Sequence, residues 1–282
     1  MVRMPSLSQL TGKVAVVTGG AAGIGKAIAQ RLVAEGMRVV IADIEQAALE
    51  ESAAEIGAVG ILTDVSSHAS VQALADEVKR RFGCVHLLCN NAGVASTAGI
   101  ADMALSDWTW LLGVNLWGVI HGIKAFLPLL RANPDGGHLV NTASVAGFHV
   151  TPGIGGYTVS KFAVMALSET LALELQAQRS SVGVTILCPG PVSSRLGSSQ
   201  RNRPDALSGG AFVDRDLETT DGGGGVRWMD PAAVADVLVR AIRRGDLYAL
   251  THPEWAAIVQ SRHGKIARAF ETAARGQDLR DL

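Results

Sequence analysis

The sequence predicts an α/β fold, a doubly wound parallel sheet of about seven strands with helices on both faces in three α/β/α layers. Three observations predict this class. Short apolar runs rich in β-branched residues recur along the chain, as at residues 13–17, and are typical of strands buried on both faces. Helical patterns separate these runs. The connections are short enough for right-handed crossovers within one sheet, and no boundary divides residues 1–282 into two domains.

The first half of the chain alternates regularly between the two patterns. The first helical pattern stops at Gly36, a residue typical of a helix C-terminus. Later helices are indicated by an amphipathic pattern and by a longer apolar one. This half predicts strands at residues 13–17, 38–42, 59–62 and 85–89, and helices at residues 26–35, 45–56, 70–82 and 106–130.

The second half continues the alternation and then interrupts it. A helix running to about residue 175 is rich in Ala, Leu, Met and Glu, which are strong helix formers. Asp230 and Pro231 are typical N-cap and first-turn residues of a later helix. This half predicts strands at residues 138–142, 182–187 and 247–250, an irregular segment at 195–227, helices at 231–244 and 256–274, and a C-terminal helical extension over 252–282.

A glycine-containing loop connects the first strand to the first helix. Glycines at such a point permit a tight turn, close backbone approach to a pyrophosphate, and close packing of helix on strand. The N-terminus of the helix then faces the anion. The sequence therefore predicts a dinucleotide site at Gly19, Ala22, Gly23, Ile24 and Gly25.

Asp43 ends the second predicted strand, at the offset where an acid binds the adenosine ribose. A carboxylate there accepts a hydrogen bond from a free 2′-hydroxyl and repels a 2′-phosphate. No basic residue directly follows Asp43, and loop positions 20–22 carry none. We therefore expect NAD(H) as the cofactor in preference to NADP(H).

Tyr157 and Lys161 lie four residues apart at the start of the fifth predicted helix, so they share one helix face. An ammonium near a phenol favours the phenolate and moves its pKa toward neutral pH, where the pair can exchange a proton with a substrate oxygen. Ligands of doubly wound sheets bind beyond the carboxyl ends of the strands. The candidate residues at those ends are Gly19, Asp43, Asp64, Asn90, Ser144 and Pro189.

With the glycine loop, the stretch 90–93, Asn115, Ser144 and the stretch 157–161 in this order, the chain resembles the short-chain dehydrogenase/reductase family. The resemblance runs from about Gly12 to Ser194 and implies a Rossmann-type fold. It implies that Tyr157 is the catalytic acid/base and that Lys161 lowers the Tyr157 pKa and binds the nicotinamide ribose. Ser144 would orient the reacting oxygen, and Asn115 would hold a water in a proton relay.

The resemblance also assigns cofactor contacts to segments that follow the strands. The Thr often found after the Pro-Gly segment is Ser194 in this chain, which retains a hydroxyl. The implied contacts are Asp64 and Val65 at the adenine, Asn91, Ala92 and Gly93 beside the adenosine, and Pro189, Gly190, Val192 and Ser194 near the nicotinamide carboxamide.

The resemblance implies that residues 195–227 form a substrate-covering lid. Its main apolar side chains are Phe212 and Leu217, and the glycines at 222–225 are expected to serve as a hinge. The expected pocket is apolar and holds no fixed cation, which favours a hydrophobic alicyclic, terpenoid or steroid-like alcohol or ketone. Its predicted lining is Ala95, Val145, Ala146, His149, Val150, Ile154 and Phe212.

Composition argues against several other classes. A formal net charge of -1 disfavours nucleic acid or an anionic membrane as a partner, and no apolar run reaches spanning length. A cytoplasmic location is expected. Five of the seven histidines, at positions 68, 86, 121, 138 and 149, are scattered without metal-ligand spacing, so we predict no metal. The carboxylates Asp102, Asp107 and Glu174 have no partner in sequence and are interpreted as solvated or capping.

Three tryptophans, Trp108, Trp110 and Trp117, lie on the predicted helix 106–130. The resemblance places this helix at a subunit interface, so a homodimer or homotetramer is expected. Two other functions stay open. One is an NADPH-dependent ketone or 3-oxoacyl reductase, which Asp43 disfavours. The other is a non-catalytic dinucleotide-binding sensor or scaffold, which the presence of all four expected catalytic residues disfavours.

Overall fold

The computed structural model describes residues 4–95, 97–214 and 227–276. Seven parallel strands form one sheet in the order β3-β2-β1-β4-β5-β6-β7, which confirms the predicted doubly wound fold. The strands are β1 (Val14–Thr18), β2 (Arg38–Asp43), β3 (Val59–Leu62), β4 (Leu87–Asn90), β5 (Gly137–Thr142), β6 (Val182–Cys188) and β7 (Tyr248–Leu250).

Helices cover both faces of the sheet. They are α1 (Gly23–Ala34), α2 (Gln46–Ile56), α3 (His68–Phe82), α4 (Leu105–Leu112), α5 (Gly118–Arg131), α6 (Gly155–Ala177), α7 (Pro231–Arg244) and α8 (Ala256–Gly276). One apolar core joins the sheet to α3, α5 and α6, and a second joins it to α1, α2 and α7. Because both faces are covered, every residue of β1, β4, β5 and β6 is buried.

The strand order reverses direction at β1, which pairs with β2 on one side and β4 on the other. A crevice opens at such a point beyond the strand ends. Here polar side chains join the two ends: Thr18 Oγ1 accepts hydrogen bonds from the backbone nitrogens of Asn91 and Ala92 at 3.0 and 3.1 Å. The Asn91 side chain donates back to the Thr18 carbonyl at 3.1 Å. These hydrogen bonds hold the ends of β1 and β4 together at the base of the crevice.

The predicted helix 106–130 is divided into α4 and α5 by a π-helical segment, Gly113–Trp117. The whole stretch Leu105–Arg131 is apolar and long enough to cross a membrane by length and composition, with a mean hydropathy of 1.3 over its most apolar 18 residues. Half of that window is buried inside the protein, as in the core helix of a compact α/β domain. The expectation that no apolar run reaches this length was wrong for this stretch, although its helix was predicted from the sequence.

The segment predicted to be irregular from residue 195 to 227 is partly ordered. Two short 3₁₀-helical stretches, Arg195–Asn202 and Asp205–Leu207, follow β6, and Thr97 pairs with Val213 in an antiparallel bridge. The prediction of an irregular segment was therefore wrong for its first half. Leu217 and the proposed glycine hinge at 222–225 lie outside the described residues.

The C-terminal part of the chain contributes α7 and the last strand, β7, and ends in α8. Asp230 caps α7 as predicted, because its side chain accepts a hydrogen bond from the Ala232 nitrogen at 2.7 Å. After β7 a short turn, Pro253–Trp255, leads into α8, which is largely exposed. Arg262 of α8 lies over the ring of Phe162, with 4.9 Å between guanidinium and ring centroid.

Candidate active site

The loop after β1 holds α1 very close to the strand. A Cβ at Gly25 would lie 1.9 Å from the carbonyl oxygen of Gly19, so no other residue fits without moving the backbone. The N-terminus of α1 therefore opens directly onto the crevice, where unpaired backbone N–H groups favour an anion. This geometry suits a pyrophosphate.

Asp43 lies at the carboxyl end of β2 and its carboxylate organises the loop beside it. Oδ2 accepts a hydrogen bond from the Ala21 nitrogen at 3.0 Å, and Oδ1 accepts from the nitrogens of Ile44 and Glu45 at 2.8 and 3.1 Å. The carboxylate faces the same pocket as the glycine loop. It is therefore fixed in place before any ligand binds.

One cavity of about 550 Å³ runs along the carboxyl ends of the strands. Apart from Tyr157 and Lys161, fifteen residues are predicted to bind the cofactor, from the glycine loop through Asp43 and Asp64 to Ser194, and all fifteen line this cavity. Ser144, Tyr157 and Lys161 line it as well. The fold thus brings the predicted cofactor residues and three of the four predicted catalytic residues to one pocket, while their roles stay predictions.

Tyr157 is partly exposed to this pocket near the start of α6. Burial raises the pKa of its hydroxyl above the ordinary value, and a hydrogen bond with Ser144 acts in the opposite direction. Ser144 itself donates a hydrogen bond to the Pro189 carbonyl at 3.2 Å. The two hydroxyls that the mechanism needs are therefore adjacent.

Lys161 is 4% exposed and lies one turn after Tyr157 on the same helix. Its Nζ donates a hydrogen bond to the Thr142 carbonyl at 2.9 Å and lies 5.5 Å from the centroid of the Tyr157 ring. Burial lowers the Lys161 pKa to about 8. The Lys161 ammonium therefore lies beside the Tyr157 phenol, and its removal from water costs free energy.

Asn115 lies in the π-helical segment and does not line the pocket. Its Oδ1 accepts a hydrogen bond from the Val94 nitrogen at 2.8 Å, and its Nδ2 donates to the Val94 carbonyl and to Ser160 Oγ at 2.9 and 3.0 Å. Ser160 Oγ donates in turn to the Tyr157 carbonyl at 2.7 Å. Because both side-chain amide hydrogens are committed, Asn115 ties the loop after β4 to α6 as a positioning residue, and π segments commonly occur at such sites.

The Pro189 to Val192 segment is supported by the region after β7. The Gly190 nitrogen donates to Thr251 Oγ1 and to His252 Nδ1, each at 3.1 Å. His252 Nε2 bonds the Arg227 carbonyl at 2.9 Å, and a carbonyl can only accept, so the proton of a neutral imidazole lies on Nε2. The sequence analysis missed this support because His252 lies about sixty residues after Gly190.

The substrate end of the pocket agrees in part with the predicted lining. Ala95, Val145, Ala146, His149 and Ile154 line it. Val150 does not, because its side chain points outward and is 69% exposed. Phe212 does not either, because it is buried against Trp110, with 6.0 Å between ring centroids. These two predictions were wrong.

Aromatic side chains that the sequence analysis missed complete this end of the pocket. Trp228 and Trp255 line it together with Val114. The Trp255 ring lies 4.8 Å from the ring of His149, whose Nδ1 bonds the Val145 carbonyl at 2.9 Å. Trp228 and Trp255 come from a part of the chain that the family motifs do not reach, so no motif indicated them.

The segment after β6 is anchored to α4 by a buried ion pair. The interpretation of Asp107 as solvated was wrong: its side chain is 0% exposed and contacts Arg203 at 2.7 Å. Its other oxygen accepts hydrogen bonds from the nitrogens of Ala104 and Ala211, so the capping interpretation holds. A Cβ at Gly210 would lie 1.7 Å from the carboxylate, so this approach requires glycine.

Two arginines lie near Asp43, where the sequence showed no basic residue. Arg195 and Arg201 line the pocket and both contact Glu45, two residues after Asp43. They were missed because they are about 150 residues away in sequence. In the part of the chain that the structure describes, no group of three or more His, Cys, Asp or Glu side chains is arranged to hold a metal ion.

Comparison with known proteins yields a family match. A family model described as short chain dehydrogenase matches residues 13–205. The CLA biosynthesis dehydrogenase/reductase of Lactiplantibacillus plantarum is 30% identical over 273 residues, covering 90% of this chain and 93% of that protein. The 1-deoxy-11-beta-hydroxypentalenate dehydrogenase of Streptomyces avermitilis is 37% identical over 189 residues, covering 64% of this chain and 69% of that protein.

A solved structure is also similar over nearly the whole chain. The short chain dehydrogenase/reductase from Burkholderia phymatum, in complex with NAD, superimposes with a TM-score of 0.87 at 39% identity. The match covers 93% of this chain and 96% of that one.

Proposed function

The chain belongs to the short-chain dehydrogenase family, and we propose that it is an NAD-dependent oxidoreductase that interconverts a secondary alcohol and a ketone by hydride transfer. One observation carries the proposal. Ser144, Tyr157 and Lys161 line the same pocket as the glycine loop and Asp43. Proton transfer and nucleotide binding can therefore occur side by side.

The residues present fit a dinucleotide. The close contact at Gly25 keeps side chains out of the crevice between α1 and β1, where a pyrophosphate would bind the helix N-terminus. Asp43 offers a fixed carboxylate to a ribose diol. NAD, when bound, supplies the hydride acceptor or donor.

The chain's own residues provide orientation and proton transfer. In alcohol oxidation the Tyr157 phenolate takes the proton from the substrate hydroxyl, while Ser144 Oγ hydrogen-bonds the same oxygen. Because burial raises the Tyr157 pKa, the phenolate needs a nearby positive charge, and the Lys161 ammonium 5.5 Å from the ring centroid provides it. Asn115 keeps α6 in register with the loop after β4.

Several observations support NAD over NADP. Asp43 presents its carboxylate where a 2′-phosphate would be repelled. The similar structure from Burkholderia phymatum contains NAD. An NADPH-dependent reductase is the less favoured alternative. A non-catalytic sensor would have no need of the assembled Ser144, Tyr157 and Lys161.

For the substrate, we favour a hydrophobic alcohol or ketone with an alicyclic or terpenoid skeleton. Apolar and aromatic side chains, including Ile154, Trp228 and Trp255, line that end of the pocket. Among the described residues, the arginines that line the cavity are bonded to Glu45, near Asp43. One relative is named as a dehydrogenase of a hydroxylated pentalenate. A cytoplasmic location stays an expectation.

A panel of secondary alcohols and ketones assayed with NAD⁺, NADP⁺ and their reduced forms tests this function. We expect the highest kcat/KM for a bulky alicyclic alcohol or ketone with NAD(H). Preference for polar sugars or acyl thioesters would contradict the substrate class, and preference for NADP(H) would contradict the cofactor. No turnover of any member, with intact NAD binding, would favour the sensor.

A further inference from the structure

A four-residue polar cluster lines the cavity near Asp43. Glu45 Oε1 accepts hydrogen bonds from Arg201 Nη2 at 2.6 Å and from Asn202 Nδ2 at 2.9 Å. Glu45 Oε2 contacts Arg195 Nη2 at 3.4 Å. We call Glu45, Arg195, Arg201 and Asn202 the Glu45 cluster. It joins the turn after β2 to the segment after β6.

The cluster lies at the ribose end of the proposed cofactor site. The Glu45 nitrogen donates to Asp43 Oδ1 at 3.1 Å, so the two acidic residues occupy one turn. Asp43, Glu45, Arg195 and Arg201 all line the cavity. The charge that a ribose 2′ substituent meets there is therefore set by two carboxylates and two guanidinium groups.

Arg201 is the more firmly held of the two arginines, whereas Arg195 makes one longer contact with Glu45. Arg201 donates to Glu45 through Nε and Nη2, and its Nη1 donates to the carbonyls of Arg195 and Ser198 at 3.1 and 2.6 Å. The hydrogen bond from Arg201 holds the pKa of Glu45 below its usual range, against the effect of burial. At neutral pH the Glu45 carboxylate is charged and compensates the guanidinium groups.

A guanidinium without a carboxylate partner is a strong phosphate ligand, because its planar fork of donors matches phosphate oxygens. Two such groups at the ribose end would offset the repulsion that Asp43 exerts on a 2′-phosphate. In this chain Glu45 occupies two donors of Arg201 and one donor of Arg195.

We propose that Glu45 is a second specificity-determining residue for the cofactor, which excludes the 2′-phosphate of NADP(H) by keeping Arg195 and Arg201 bound to itself. The inference rests on the proposed function, because it takes the crevice to be a dinucleotide site. The proposed role of Glu45 differs from that of Asp43. Asp43 repels the 2′-phosphate directly, whereas Glu45 keeps two arginine cations from binding that phosphate.

The test is the dissociation constant of NADH and of NADPH for the wild-type protein and for Glu45→Gln, measured by calorimetry without a second substrate. Gln keeps the size of the side chain and one acceptor oxygen, and it removes the charge. We expect NADPH to bind E45Q at least about tenfold more tightly than wild type, with the NADH constant changed less than about threefold. Added salt should weaken the NADPH gain, because it is electrostatic.

Two further variants test whether a gain in NADPH affinity depends on Arg195 and Arg201. In Glu45→Gln with Arg195→Gln and Arg201→Gln, the gain for NADPH should disappear. Glu77→Gln is a matched control, because Glu77 on α3 is likewise bonded by two arginines, Arg80 and Arg81, but does not line the cavity. It should leave both constants unchanged.

Three results would overturn the inference: no gain for NADPH in E45Q, an equal change for both nucleotides, or a gain that persists without the two arginines. The failure of the proposed function has a different signature. A wild-type protein that binds neither nucleotide would refute the dinucleotide site itself. A wild type that prefers NADPH would refute the NAD assignment, whatever E45Q does.

Discussion

Arg203 contacts the carboxylate of Asp107 at 2.7 Å, and the side chains of the two residues are only 6% and 0% exposed. The guanidinium lies over the rings of Trp110 and Phe212, 5.4 and 5.7 Å from their centroids. Asp107 belongs to α4, whereas Arg203 belongs to the segment after β6. The pair therefore fastens the proposed substrate lid to the body of the domain.

We expect that breaking this pair destabilises the protein strongly. Asp107→Asn leaves a buried guanidinium without its carboxylate, and Arg203→Met leaves a buried carboxylate without its cation. Each should lower the free energy of unfolding by about 3–5 kcal/mol, measured by urea denaturation. Glu77→Gln, which breaks exposed pairs with Arg80 and Arg81, should cost much less than either of these variants.

The double variant Asp107→Asn with Arg203→Met completes a mutant cycle. Because it leaves no buried charge unpaired, it should cost less than the sum of the two single variants. Single variants no more harmful than E77Q, or a double variant with strictly additive cost, would contradict a coupled buried pair.

The comparison of sequence with structure shows what local patterns can and cannot predict. The strands and the glycine loop were predictable because their periodicity and spacing are local properties of the chain. Tyr157 and Lys161 were predictable as a pair because they are one helical turn apart. The predicted cofactor residues lie at strand ends, so the sheet topology alone gathers them in one crevice.

The contacts that escaped prediction join residues far apart in sequence. Arg201 and Glu45 are 156 residues apart, and no periodicity relates them. Their meeting depends on the path of the segment after β6, whose polar composition carries no regular pattern. Phe212 was misassigned for the same reason: an apolar residue in a predicted lid can face either the pocket or a core, and here Trp110 and Arg203 cover it.

The proton-transfer role of Tyr157 is tested by Tyr157→Phe. Removal of the hydroxyl should lower kcat by about 100- to 10,000-fold, because the general acid/base is lost, while the NADH dissociation constant stays within about threefold. The chain has one other tyrosine, Tyr248, whose hydroxyl donates to Glu169 at 2.8 Å. Tyr248→Phe is therefore the matched control and should retain activity. Substantial turnover by Y157F would refute the assignment.

The desolvated Lys161 predicts a pH-dependent stability. Its pKa is about 8 in the folded protein and 10.5 in its ordinary state, so between these values the unfolded chain binds more protons than the folded one. Stability from this group therefore rises with pH across that interval. The measured quantity is the free energy of unfolding of the nucleotide-free wild type minus that of Lys161→Met. We expect this difference to increase between pH 7 and pH 10, with a slope of roughly 1 kcal/mol per pH unit above pH 8.

Taking the difference between the two proteins cancels the contributions of titrating groups that do not interact with Lys161. Urea denaturation at each pH, followed by circular dichroism, gives both curves. A difference that is flat with pH, or that decreases, would show that Lys161 is not desolvated in the folded protein.

The chain is expected to form a homodimer or homotetramer, and the structure changes which side chains support that prediction. Trp110 is buried within the protomer, so it cannot serve an interface, whereas Trp117 is 52% exposed at the end of the π-helical segment. Leu105 and Leu173 are also exposed, at 84% and 61%. Isolated large apolar side chains are common on surfaces, but a set on α4 to α6 favours contact with a second copy. We expect light scattering to give a dimer or tetramer of the 29.4 kDa chain, and Trp117→Glu to dissociate it. Phe270→Glu, at a 74% exposed position on α8, is the comparison variant. If F270E dissociates the oligomer and W117E does not, the interface lies on α8. A monomeric wild type would refute association altogether.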